Sequence, residues 1–205
     1  MLYNHLNTKE RIDKFMGTGT WIIIAAAAVV VILIIWFIAT SNGLVKRKLT
    51  VEEAFSGMDI FLKKRYDLIP NLVNTVKGYA EHEQETLQGV ISARNQAAGA
   101  NRNDINETIE SEKNFSSAIS RLFAIAESYP NLKADSQFLN LQGQLSSVEN
   151  DIAQARKYYN GAAKQYNYKV AMFPSNIVAG MTGHKKVSFF EVSDEAQREN
   201  VKVEF

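Results

Sequence analysis

Between Phe15 and Val45 the chain carries no charged side chain, and residues 21–39 (WIIIAAAAVVVILIIWFIA) are 19 consecutive apolar positions. As a helix rising ~1.5 Å per residue, such a run is ~28 Å long, the thickness of a bilayer's hydrocarbon core. A helix apolar on every face has no place at a water-exposed surface, so the run predicts a transmembrane helix over 19–43 after a short amino-terminal segment, 1–18. A cleaved signal peptide is the competing reading, because Ala39, Thr40 and Ser41 are small. Signal cores, however, are only ~7–15 residues long, and Trp21 and Trp36 stand at the two ends of this run as interfacial anchors do. Lys46, Arg47 and Lys48 follow it directly, with Lys63, Lys64 and Arg65 beyond. Only three basic residues, interleaved with acids, precede it, so the charge bias expects a cytoplasmic carboxyl-terminal domain. Lys46, Arg47 and Lys48 are read as a topology signal beside the lipid bilayer, since three charges are fewer than the four to eight of a lipid-recognition cluster.

The first 45 residues hold Lys9, Arg11, Lys14, Glu10 and Asp13, which leaves 20 of the 23 basic and 20 of the 22 acidic side chains in the remainder. A neutral domain lacks the cationic excess that releases counterions from a phosphate backbone, which argues against a nucleic-acid partner. With no cysteine there is neither a disulfide nor a thiolate ligand or nucleophile. The three histidines, His5, His82 and His184, lie on separate segments and form a poor metal-ligand set.

Past Gly43 the pattern is all-α. Val51, Phe55, Met58, Leu62 and Tyr66 form one stripe at three- and four-residue spacing on a first helix over 46–66. Pro70 is expected to end that helix and to sit in the first turn of a second one running to about Ala98. On that second helix Leu72, Val73, Val76, Tyr79, Ala80, Leu87, Val90, Ile91 and Ala97 share an arc of ~120°, with Glu83 and Arg94 in its middle. The loop 99–103 leads to a third helix capped by Asn103 or Asp104, carrying Ile109, Phe115, Ile119, Leu122 and Ala126 and stopped at Tyr129 and Pro130. The fourth helix is the longest, with Phe138, Leu141, Leu145, Val148, Ile152, Ala155, Tyr159, Ala162 and Tyr166 alternating three and four apart, and Val170 and Phe173 continuing it after one four-residue stutter. Four single-faced helices predict an elongated antiparallel four-helix bundle over 44–174. A tail, 175–205, adds a short apolar turn at 177–181, an extended piece at 187–192 and a charged end with Phe205, and is expected to pack on the bundle.

The stretch SNGLVKRKLTVEEAFSGMDIFLKKRYDLIPNLVNTVKGYAEHEQETLQGVISARNQA closely resembles the LemA family of bacterial membrane proteins, most specifically at RYDLIPNLVNTVKGYAEHE, residues 65–83. A second match is ARKYYNGAAKQYNYKVAMFPSNIVAG, residues 155–180, with its paired Tyr-Asn steps before Phe-Pro-x-Asn. Phe55 stands where the family usually has Trp, and Phe61 where a polar residue is common; Phe61 lies beside the stripe and widens a contact surface. The resemblance implies a single-pass inner-membrane protein with a helical bundle in the cytoplasm and implies no established activity. Arg65, Tyr66, Asp67, Pro70 and Asn71 in the matched motif are taken as structural residues.

His82-Glu83 invites comparison with the zinc-protease motif His-Glu-x-x-His, but the position four after His82 is Thr86. A metal-dependent hydrolase around His82 and Glu83 is therefore a remote alternative. Neither a Gly-x-Ser-x-Gly elbow nor a phosphate-binding Gly-x-x-x-x-Gly-Lys loop is present. No cofactor and no catalytic residue is expected. The leading expectation is a membrane-anchored scaffold or interaction module with an unidentified membrane or cytoplasmic protein as partner; the runner-up is a homo-oligomeric envelope-stress or assembly factor. Arg94, Glu83 and Glu112 are charged residues on apolar faces, and each needs a partner if it points into a core. The short loop 99–103 makes Arg94 and Glu112 neighbours, which predicts an ion pair between them and leaves Glu83 to a cation on the fourth helix.

Overall fold

A computed structural model describes residues 2–102 and 104–190, with backbone alone for 2–16 and 18. The expected positions at Asn103, at 191–192 and at Phe205 lie outside the described residues. Six α-helices make up the described chain: α1 (Leu2–Lys77), α2 (Gln84–Gly99), α3 (Ile105–Ser128), α4 (Pro130–Lys133), α5 (Ser136–Ala171) and α6 (Ser175–Met181). No strand occurs among the described residues.

The largest departure from expectation is α1, which runs unbroken for 76 residues through both the apolar span and Pro70. Proline removes one N–H, so only one carbonyl, that of Tyr66 four residues back, loses its helical partner. That carbonyl accepts a hydrogen bond from Arg94 Nε of α2 at 3.1 Å. The helix therefore passes Pro70 with its exposed acceptor satisfied from outside. It ends instead at Gly78, a residue of low helix propensity. There the Val76 carbonyl takes both the Tyr79 and the Ala80 amides at 3.0 Å, and a short 3-10 turn, Glu81–Glu83, leads into α2. Leu72, Val73 and Val76 thus belong to α1, and only Leu87, Val90 and Ala97 of the expected second-helix stripe are buried on α2.

The other boundaries follow their capping chemistry. Asp104 caps α3, accepting from the amides of Asn106 at 2.9 Å and Glu107 at 3.3 Å. Pro130 stands in the first turn of α4, and the Asp135 carboxylate accepts the Phe138 amide at 2.8 Å where α5 begins. That bond, first, and one from the Tyr79 hydroxyl hold the Asp135 carboxyl below the usual carboxylate range.

Two compact units can be described separately. Of the described residues, one unit comprises 2–46 and 169–184, the other 47–102, 104–168 and 185–190. The second unit holds the main core. Val51, Ala54, Met58, Leu62 and Ile69 on α1, Phe115, Ile119 and Leu122 on α3, and Phe138, Leu141, Leu145, Ile152 and Tyr159 on α5 are buried. Each such aliphatic or aromatic side chain contributes ~1.5–3 kcal/mol by leaving water.

In the first unit α1 contains a stretch long and apolar enough to cross a membrane, none of it buried within the protein. Leu44 is the exception just beyond that stretch: it forms a small cluster with Val178 and Ala179 of α6, against which Trp36, Phe37 and Val170 pack. The helix α6 closes with Gly183 at φ +73°, a left-handed residue that lets the His184 amide reach back to the Ala179 carbonyl at 2.9 Å.

Candidate functional site

The densest concentration of functional groups lies inside the second unit. Arg65 has no exposure although it is the most polar side chain on α1's inner face. It is held by two carboxylates: Nη2 bonds Glu112 of α3, itself fully buried, and Nη1 reaches Glu149 of α5 at 2.8 Å and Ser116 Oγ at 3.4 Å. Its guanidinium lies 5.0 Å from the centre of the Phe115 ring, a favourable cation–π placement. The other Glu112 oxygen accepts the Tyr66 hydroxyl, which in turn accepts from Arg102 Nη2 at 3.2 Å. Arg102 Nε lies 2.8 Å from Asp59 on α1. Arg156 of α5 is also held close: burial, and then the Arg65 charge, lower its pKa from the ordinary guanidinium value, while Glu149 and Glu112 oppose the shift. Three arginines thus stand among three carboxylates, with only Arg65 and Glu112 wholly out of water.

Electrostatics keep the tyrosine at the centre in its neutral form. Burial, then the adjacent Glu112 carboxylate, push the Tyr66 phenol far above its ordinary value, and Arg102 offsets only part of that. A phenol so disfavoured as an anion is a fixed donor, not a proton shuttle near neutral pH. Arg65 likewise is committed to Glu112 and Glu149. Beside this cluster an open groove of ~370 Å³ runs between α3 and α5, lined by Ser116, Ser120, Phe123, Gln142 and Ser146, with Glu149 at its edge.

The expected Arg94–Glu112 pair is not formed. Glu112 is taken by Arg65 and Tyr66, whereas Arg94 bonds the Tyr66 carbonyl, Asn95 Oδ1 at 3.1 Å and, at 3.9 Å, Asp67. The reason is the unbroken passage of α1 through Pro70, which creates a free acceptor within Arg94's reach. Glu83 sits half-buried in the 3-10 turn rather than on a core-facing helix, and among the described residues it forms no ion pair with a cation of α5. Asn71 is exposed, and its carbonyl accepts the Thr75 hydroxyl at 3.0 Å. His82 is exposed in the same turn as Glu83, and among the described residues no three histidine, aspartate or glutamate side chains are placed to hold a metal ion. Of the anchor residues, Trp21 is exposed, Trp36 packs beside α6, Arg47 donates to Gln165 Oε1 at 2.7 Å and Lys48 pairs with Glu52 at 3.6 Å; Lys46 is exposed.

Sequence reasoning missed Asp59, Arg102, Glu149 and Arg156, and it missed a second polar device altogether. Asn167 and Asn160, one heptad apart on α5, each pair both amide atoms with one residue of the extended tail. Asn167 accepts from the Val187 amide and donates to its carbonyl, both at 2.9 Å; Asn160 does the same for Phe190 at 2.8 and 3.1 Å. Seven helical residues rise ~10.5 Å and three extended ones span ~10 Å, so the two registers agree. Between them the Tyr159 hydroxyl donates to the Ser188 carbonyl at 2.8 Å, and Phe190 is buried against Tyr159 and Arg156. The repeated Tyr-Asn step at 159–160 and 166–167 was the available signal.

Comparison with known proteins identifies a family. Residues 54–205 match the LemA family, which takes in every residue of the charged cluster and of the asparagine pair. Among similar proteins, Magnetosome protein MamQ 2 of Paramagnetospirillum magneticum is 24% identical over 76% of this chain and 67% of its own length. Protein LemA of Metamycoplasma hominis is 25% identical over 77% of this chain and 72% of its own. Magnetosome protein MamQ of Magnetospirillum gryphiswaldense is 24% identical over 66% and 58%. None of these names denotes an enzyme. With a match that spans the core, the cluster and the clamped tail alike, the chain belongs to the LemA family.

Proposed function

We propose that this protein is a single-pass scaffold of the bacterial inner membrane, an antiparallel four-helix bundle held in the cytoplasm and offering helix faces to a protein partner. The observation that carries the reading is α1 itself: one unbroken helix supplies both an apolar span and the inner stripe of a helical core. The strongly polar groups support it as well. They are spent on one another, as in a cluster that fixes which helices pack together, and the nucleophile-and-base geometry of a catalytic site is not among their contacts.

A contact surface of suitable chemistry exists. Between α1 and α5 a shallow groove of ~500 Å³ is floored by Gly57, Met58 and Ala155 and walled by Phe61 and the exposed Tyr158, with Glu53 and Asp151 at its rim. Phe61, the departure from the family's usual polar residue, is one of the walls. Aromatic walls around a small-residue floor suit a partner helix bearing an apolar ridge and a cation.

Two measurements test the reading. The Gln96→Cys protein, otherwise free of thiols, should resist an impermeant maleimide in intact cells and react after lysis; labelling from outside overturns the orientation. Photocrosslinking from position 158, compared with position 96, should capture a distinct protein. If 158 captures only other copies of this chain, and the purified protein runs as a large assembly in mild detergent, self-association replaces the scaffold reading.

A further inference from the structure

The segment 170–183 contains no charged residue and is bracketed by Lys169 on one side and His184, Lys185 and Lys186 on the other. It folds as the end of α5, a short connection and α6. Val178 and Ala179 of α6 are buried against Leu44 of α1, with Trp36 and Phe37 packed beside them. The opposite side is apolar and uncovered: Met172 is 61% exposed, Phe173 79%, Ile177 51% and Met181 72%. Ile177 and Met181, four apart, share a helix face. Four large exposed apolar side chains on so short a segment are a surface that water disfavours.

What covers this surface follows from its place along α1. The charge-free stretch of α1 ends at Val45, and the segment 170–183 packs on it between Trp36 and Leu44. Gly43 leaves room for the Lys169 ammonium, which a Cβ there would overlap. The change from apolar to cationic residues therefore occurs at one level on both pieces of chain, at Gly43–Lys46 on α1 and at Lys169 where α5 ends. From Phe37 to Gly43 a helix rises ~9 Å, close to the ~5–10 Å by which an interfacial helix sinks below the headgroups. The cations above that level suit anionic headgroups.

We propose that residues 170–183 form a second membrane contact, a turn and short helix that dips into the cytoplasmic leaflet beside the α1 span with Phe173, Ile177 and Met181 in the acyl region and Lys169 and His184 at anionic headgroups. The inference rests on the reading of α1 as a membrane span. It makes the protein bipartite in its attachment: the end of α5, as well as α1, is tied to the bilayer.

Site-directed spin labelling of the full chain in vesicles of phosphatidylcholine and phosphatidylglycerol tests it, because the protein has no native cysteine. Labels at Phe173→Cys and Met181→Cys are compared with Val30→Cys, exposed within the span, and Leu139→Cys, exposed on α5 in the other unit. The expected result is collision with oxygen several-fold above collision with a water-soluble nickel chelate at 173 and 181, as at 30, and the reverse at 139. If 30 reports lipid while 173 and 181 report water as 139 does, the second contact is refuted and the anchor stands. Shielding of 173 and 181 from both reagents also refutes it, because a protein then covers the surface. If 30 itself reports water, the span and the inference fall together.

Discussion

Replacing Arg65 by Met removes a fully buried cation from between Glu112, also without exposure, and the partly exposed Glu149. Glu149 keeps 40% of its side-chain surface in water and can resolvate, so the cost concentrates on Glu112. Glu112 would retain only the Tyr66 hydroxyl as a direct donor. Leaving one buried charge without its partner costs ~3–5 kcal/mol. For a chain of this size ~1 kcal/mol moves the melting temperature by ~2–4 °C, so Arg65→Met should lower it by ~6–20 °C. The assay is thermal unfolding of the full-length protein in detergent, followed by circular dichroism at the helix band. The informative variant is the double one, Arg65→Met with Glu112→Leu, which removes both charges and leaves Tyr66 still in contact with Arg102. It should melt above the Arg65→Met single variant, because pairs of buried charges are about neutral against apolar replacements whereas orphaned ones are not. Equal or additive losses in the two single variants and the double would refute the view that Arg65 and Glu112 are there for one another.

Three shorter tests follow. Leu145, 1% exposed on α5, should tolerate no charge: Leu145→Asp is expected to cost ~3–5 kcal/mol in the same melt. Burial pushes the Tyr159 phenol up to about 12, above the ~10 of an unfolded chain. Its contribution is therefore complete below pH ~10 and lost as the pH rises toward about 12. Tyr159→Phe, which loses the bond to Ser188, should be ~1 kcal/mol less stable at neutral pH, the gap closing in alkaline melts. Asn167→Asp cannot donate to the Val187 carbonyl, so amide hydrogen exchange over 185–190 should accelerate while that of 138–152 stays unchanged.

How much of this was legible in the sequence depends on how local each cause is. The α5 stripe from Phe138 to Tyr166 could be read outright, since a repeat carried over several heptads admits one face and one period. Asp104 as a cap and Tyr129-Pro130 as the stop of the third helix were equally local. Arg65 was visible as a residue of the family motif but not as a core group. A lone arginine three positions after Leu62 reads as a surface cation until the carboxylates that neutralise it, 47 and 84 residues away, are known. The asparagine pair failed for a related reason. Asparagine beside tyrosine on a helix is unremarkable, and only the extended run of the tail past α5 turns two amides one heptad apart into a clamp.

Pro70 is the instructive failure, because the rule that stops a helix before proline assumes that nothing else donates to the freed carbonyl. Here Arg94 does, at 3.1 Å from the Tyr66 oxygen. The two residues should then be coupled in a way that no direct contact between their side chains would produce. In the native chain Arg94→Ala leaves that carbonyl without its donor. A hydrogen bond from a charged group contributes ~1.5–3 kcal/mol when buried, and with 27% of the Arg94 side chain exposed a loss of ~1 kcal/mol is the reasonable figure. In a Pro70→Ala background the new backbone N–H takes the Tyr66 carbonyl through the ordinary helical bond, so Arg94→Ala removes only the contacts to Asn95 and Asp67, which are common to both backgrounds and cancel in the cycle. The coupling should therefore be ~1 kcal/mol, read from chemical denaturation of the four full-length proteins, with Pro70→Ala alone neutral or stabilising. If Arg94→Ala costs the same with proline and with alanine at 70, the arginine is not what carries α1 past Pro70, and the continuity of the helix must rest on packing against its neighbours alone.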